Sequence, residues 1–117
     1  MKAPPRQILV VEDEPLVLRL VMMQLEKGGY EVGSAPDGIQ GLKAFQNGHW
    51  DLVVTDRDMP GMNGEQMATV IKGMAPQTPV ILMTGSDTLL NMPACFNAGL
   101  AKPFRQAELL KLVGSFF

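Results

Sequence analysis

The sequence holds a single cysteine, Cys95, in 117 residues, which excludes an internal disulfide and any multi-cysteine metal site. It has no apolar run near the roughly 18 residues that a membrane span needs. The stretch after Met-Lys-Ala-Pro-Pro-Arg is apolar only from Ile8 to Val11, too short for the core of a secretory signal, so a cytoplasmic protein is expected. Positive charge is not in surplus either. Ten Lys plus Arg stand against twelve Asp plus Glu, and a net charge of −2 argues against direct nucleic-acid binding. Internal repeats and low-complexity tracts are missing, and nothing reads as a linker beyond the first few residues. What is present is 46% hydrophobic residues, enough to bury a core. The length fits one domain, residues 1–117 with a core of about 6–117. Several of the acids stand at the ends of apolar runs.

Those runs alternate with helical patterns. Ile8-Leu9-Val10-Val11 is continuous apolar, as a strand buried on both faces requires. Pro15 opens a helix where a missing N–H costs nothing, Val17, Leu20, Val21 and Leu25 give it an apolar face, and Gly28-Gly29 ends it. Tyr30 to Ala35 reads as a second strand. A helix with Ile39, Leu42 and Phe45 on one side follows, stopped by Asn47-Gly48. Leu52-Val53-Val54-Thr55 is a third strand ending on Asp56. Asn63 and Gln66 form a capping box for a helix with Met67, Val70, Ile71 and Met74 at helical spacing. Val80 to Met83 is a fourth strand ending at Thr84. Ser86 to Met92 allows only a short helix before Pro93, and Phe96 to Ala101 is a fifth strand interrupted by Gly99. Leu109, Leu110, Val113 and Phe116 mark a last amphipathic helix. This alternation predicts an α/β fold: a doubly wound, five-stranded parallel sheet of (βα)5 type, with a shortened or irregular fourth helix.

In such a sheet every strand-to-helix loop lies at one edge, the carboxyl edge, where ligands bind. Glu12, Asp13, Asp56, Thr84 and Lys102 all fall at or just after strand ends. Three carboxylates in one cleft repel one another unless a cation neutralises them. Oxygen ligands select a hard divalent cation, and Mg²⁺ that keeps several waters fits best. A metal, an ammonium group and a hydroxyl around one carboxylate suit a phosphoryl group in transfer, because each stabilises an oxygen as charge spreads over it. Asp56 is the natural nucleophile, since a carboxylate forms an acyl phosphate without a general base.

Four motifs also resemble one family. Val-Val-Glu-Asp-Glu-Pro (10–15) is similar to the acidic-pair signature of two-component response-regulator receiver domains. Asp-Leu-Val-Val-Thr-Asp-Arg-Asp-Met-Pro-Gly-Met-Asn-Gly (51–64) resembles their phosphoacceptor segment. Met-Thr-Gly-Ser (83–86) and Lys-Pro-Phe (102–104) match the other two signatures, in family order. The resemblance implies a flavodoxin-like or CheY-like fold. It also implies that Asp56 accepts a phosphoryl group from a histidine kinase or phosphotransfer protein and passes the signal to a downstream effector. Asp13 would then ligate Mg²⁺, with Asp56, the backbone carbonyl of Asp58 and, mainly through water, Glu12. Thr84 and Lys102 would hold the phosphoryl group, and Lys102-Pro103 would be cis. The domain would be no enzyme beyond assisting its own phosphorylation and dephosphorylation.

One position departs from the pattern. Where the family carries a switching Tyr or Phe three residues before the lysine, this sequence has Gly99. A signal then has to leave by backbone movement around residues 84–93, or the domain only relays or drains phosphate. Two other functions stay open on the residues. One is a phosphorylation-independent pseudo-receiver that binds partners. The other is a haloacid-dehalogenase-type phosphohydrolase with Asp56 and Asp58 as its Asp-x-Asp, disfavoured by the acidic pair and the short chain.

Plainer readings apply elsewhere. The acids at 12–14 alone would suit a helix N-terminus, and the Asp58 side chain reads as a turn acid. His49 and Trp50 fall at the amino edge, away from the acids. Met67 and Met74 sit at core spacing and read as gap fillers, and Cys95 as a small buried hydrophobe.

Overall fold

The computed structural model describes residues 3–85 and 91–117. Its strands form where apolar side chains are covered on both faces. β1 (Gln7–Val11), β3 (Leu52–Asp56) and β4 (Val80–Thr84) are buried over nearly their whole length. β2 (Glu31–Ala35) and β5 (Ala98–Ala101) flank them, and both are more open. The five strands form one parallel sheet in the order β2-β1-β3-β4-β5. This is the doubly wound α/β sheet expected from the sequence. The chain moves from β1 outward to β2, then returns past β1 to build β3, β4 and β5 on the other side. That reversal opens a crevice beyond the carboxyl ends of β1 and β3.

Four helices lie among the described residues: α1 (Pro15–Lys27), α2 (Gly38–Asn47), α3 (Gly64–Met74) and α4 (Gln106–Gly114). Most of the short helix expected over Ser86 to Met92 falls on residues 86–90, outside the described residues. Local chemistry sets the ends. Pro15 opens α1, and Gly29, at φ 92°, supplies the left-handed residue that turns the chain so that Tyr30 N–H donates to the Leu25 carbonyl at 3.3 Å. Asp37 caps α2 by accepting from Gln40 N–H at 2.7 Å. The Asn63–Gln66 capping box forms as expected, its two hydrogen bonds at 2.8 and 2.9 Å.

The sheet divides the core in two. Ile8, Val10, Leu52, Val54, Ile81 and Met83 face α1 and α4, where Val21, Leu25, Leu109 and Val113 meet them. Leu9, Val11, Val53, Val80 and Leu82 face the other way, toward Met67, Ala68 and Ile71 of α3. The alternation is the two-residue period of a strand.

Four residues expected on buried helix faces are exposed instead: Leu20, Ile39, Val70 and Met74. Each keeps helical spacing, but the sheet covers a narrower stripe than the apolar pattern offers. Gln24 on α1, and Gly38 and Gly41 on α2, are buried in their place, and small residues there let α2 pack close. Cys95 is only partly buried, against the α3 side of the core.

Candidate functional site

Glu12 and Asp13 directly follow β1, and Asp56 is the last residue of β3. The two strands are neighbours, with Val11 opposite Thr55, so strand pairing alone puts the acids side by side. Carboxylate oxygens of Glu12, Asp13 and Asp56 lie within 4.8 Å of one another. Asp13 is exposed, Asp56 partly so and Glu12 wholly buried. Thr84 ends β4 and is buried at the same edge. Lys102 follows β5, its N–H donating to the Thr84 carbonyl at 2.9 Å. The structure therefore gathers five of the six residues singled out in the sequence by their side chains or strand ends. The sixth, Asp58, lies two residues past Asp56 with its side chain exposed, as a turn acid should be. The Lys102–Pro103 peptide is cis.

Charge is arranged tightly here. Lys102 Nζ donates to Glu12 Oε1 at 2.7 Å and stands 3.4 Å from Asp56 Oδ2. Burial pulls the Lys102 ammonium pKa down, but the Glu12 and Asp56 carboxylates outweigh it and leave it raised above 10.5. Burial, followed in effect by the Asp56 charge, pushes the Glu12 carboxyl above its usual range against the pull of Lys102. One ammonium group thus neutralises two carboxylates only in part. A divalent cation is the natural complement of this oxygen-only donor set, and the three acids fit Mg²⁺ in chemistry and spacing.

Two features of the site were not read from the sequence. Glu12 serves as the direct partner of Lys102, ninety positions away, a pairing that no local pattern signals. Gly64 has a steric duty: a β-carbon there would run into the Asp56 carbonyl, and its N–H donates to the Arg57 carbonyl at 2.8 Å. The start of α3 thereby closes on the loop that follows Asp56. Arg57 N–H holds Asp56 Oδ1 at 2.8 Å, which leaves Oδ2 on the Lys102 side. His49 and Trp50 lie before β3 at the opposite edge. His49 is largely exposed and 3.6 Å from Asp51, and the Trp50 indole N–H donates to the Ala44 carbonyl.

A family model described as the response regulator receiver domain matches residues 8–114. YkoG of Bacillus subtilis, an uncharacterised transcriptional regulatory protein, is 36% identical over 107 residues, covering 88% of this chain and 47% of YkoG. The chain thus spans about half the length of that relative. The response regulator TrrA of Thermotoga maritima, solved in complex with Mg²⁺-BeF, superposes with a TM-score of 0.90 at 32% identity, over 96% of this chain and 99% of that one. The receiver domain of the sensor histidine kinase PA1611 of Pseudomonas aeruginosa, with magnesium coordinated in its active-site cleft, gives 0.86 at 27%, over 96% and 97%. Motifs, sheet order and these likenesses agree over almost the whole chain, which belongs to the response regulator receiver domains of two-component systems.

Proposed function

We propose that this receiver domain is a phosphoacceptor: Asp56 takes a phosphoryl group from a phosphohistidine of a partner histidine kinase or phosphotransfer protein in the cytoplasm. The observation that carries this reading is the position of Lys102, 3.4 Å from Asp56 Oδ2, beside three carboxylates whose oxygens lie within 4.8 Å. In the step, an Asp56 carboxylate oxygen forms a bond to phosphorus as the P–N bond breaks, and the imidazole nitrogen leaves with the electron pair. Glu12, Asp13, Asp56 and the Asp58 carbonyl would hold Mg²⁺, which supplies charge neutralisation for the carboxylates and the phosphoryl oxygens. Arg57 N–H orients Asp56 through Oδ1. Lys102 exchanges its Glu12 contact for a phosphoryl oxygen, and the Thr84 hydroxyl donates to another. The domain turns over no separate substrate; its chemistry acts on its own phosphoryl group. A downstream effector reads the phosphorylated state.

The test is intact mass after incubation with acetyl phosphate and Mg²⁺. Wild type gains one phosphoryl group and Asp56→Asn gains none. No gain from acetyl phosphate or from a phosphorylated kinase overturns the reading in favour of a pseudo-receiver. Release of many equivalents of phosphate from a generic phosphomonoester overturns it in favour of a hydrolase.

A further inference from the structure

Lys102 must reach Asp56 to within a few ångströms, yet it hangs from the least anchored strand of the sheet. β5 is a four-residue edge strand, Ala98-Gly99-Leu100-Ala101, and Leu100 is its one buried side chain. Small side chains offer little resistance to a register slip, and slipping by one residue displaces everything after the strand by about 3.3 Å. Such a displacement would remove Lys102 from both Glu12 and Asp56.

The far end of β5 carries a polar tie like the one that starts β3, where the Asp51 N–H donates to the Gln7 carbonyl at 2.7 Å and Asp51 Oδ2 accepts from the Gln7 N–H at 2.8 Å. The Asn97 N–H donates to the Val80 carbonyl at 2.8 Å, and Asn97 Oδ1 accepts from the Val80 N–H at 2.9 Å. One residue therefore engages both main-chain groups of the first residue of β4, a pairing that only one register permits. Asn97 Oδ1 also accepts from Lys72 Nζ at 2.5 Å. Lys72, near the end of α3, donates in addition to the Thr78 carbonyl at 2.7 Å and to the Pro76 carbonyl at 3.5 Å. The ammonium group thus joins the end of α3, the loop before β4 and the start of β5. Its burial among carbonyls lowers its pKa, in keeping with a group that has exchanged water for these acceptors.

We infer that Asn97 and Lys72 are positioning residues for Lys102, fixing β5 in the register that delivers the ammonium group to Asp56. The inference rests on the phosphoacceptor reading of Asp56 for its consequence, while the register itself can be measured without phosphorylation. β3 is buried over nearly its whole length besides its Asp51 tie, whereas β5 has a single buried side chain, so its register leans on Asn97. Asn97→Ala removes the acceptor shared by Lys72 and Val80. Asn97→Asp keeps an acceptor at that point, and Lys72→Met removes the third arm while keeping the apolar stem.

The experiment compares wild type, Asn97→Ala, Asn97→Asp and Lys72→Met by two readouts. In amide exchange, the Lys102 N–H, which bonds to the Thr84 carbonyl, exchanges at least about tenfold faster in Asn97→Ala, while the β1 and β3 amides keep their protection. In acetyl phosphate kinetics at saturating Mg²⁺, the maximal rate falls about tenfold in Asn97→Ala and recovers in Asn97→Asp, in line with the cost of small misplacements. Added to Lys102→Ala, Asn97→Ala lowers the rate no further, because both act through one group. Wild-type exchange at Lys102 in Asn97→Ala overturns the inference, as does an equal loss of rate with and without Lys102. If Asn97→Ala does not fold, Lys72→Met carries the same comparisons with smaller effects. A wild type that takes no phosphoryl group refutes the phosphoacceptor reading instead, and the exchange at Lys102 still decides the register.

Discussion

The middle of the sheet and its β5 edge hold functional groups with very different amounts of packing behind similar polar ties. β1 and β3 deliver Glu12, Asp13 and Asp56 from runs of fully buried Ile, Leu and Val, covered on both faces. Their register is over-determined, since any slip would break two packed layers. β5 delivers Lys102 from Ala, Gly and a single Leu, with polar contacts at each end of the strand. The clustered acids therefore sit on the part of the fold that packing makes rigid. Lys102, the cation that pairs with two of them, sits on the part that packing leaves loose.

Core truncation should break this comparison most visibly. Ile81→Ala, in a fully buried strand, should cost about 3–5 kcal/mol in urea unfolding, and Leu100→Ala on β5 nearer about 2 kcal/mol. Equal costs would mean that β5 is packed as firmly as the centre. Gly64→Ala comes next. Its new β-carbon meets the Asp56 carbonyl, so about 1–3 kcal/mol of stability should be lost together with phosphorylation of Asp56 by acetyl phosphate. Loss of stability with unchanged phosphorylation would separate the loop from the site.

Two smaller effects sharpen the contrast. The folded-state pKa of Lys102 lies above 10.5, so its contribution to stability is fully present below that pH and is lost as pH rises through the folded value. Glu12 is raised from 4.5, so it holds its proton longer when folded, and its contribution to stability declines as pH climbs from 4.5 through its folded value. Without Mg²⁺, thermal melts of Lys102→Met should lack the alkaline decline, and those of Glu12→Gln should lack the acid-side change. Last, Gln24 on α1 buries an Oε1 with no partner among the described residues. Gln24→Met should stabilise by about 1 kcal/mol in the same urea experiment, since it replaces an unsatisfied group by an apolar one of similar length. Destabilisation would show that the oxygen has a partner.

Much of the site was legible in the residues because receiver chemistry concentrates at strand ends. Apolar runs locate the strands, and whatever follows each run must lie on the carboxyl edge. Helix faces were less legible. Leu20, Ile39, Val70 and Met74 keep perfect helical spacing yet stay exposed, because spacing says which residues share a face and not how wide a stripe the sheet covers.

The sequence by itself determined the α/β alternation, the family, and the set Glu12, Asp13, Asp56, Thr84 and Lys102, since these depend on local pattern and on position after a strand. Tertiary structure alone decided how those charges pair. Glu12 buried against Lys102, Gly64 pressed to the Asp56 carbonyl, and Asn97 shared by Lys72 and Val80 all join residues that pattern cannot relate. Periodicity is a property of neighbours along the chain, whereas a hydrogen bond across ninety residues exists only once the sheet has closed the distance.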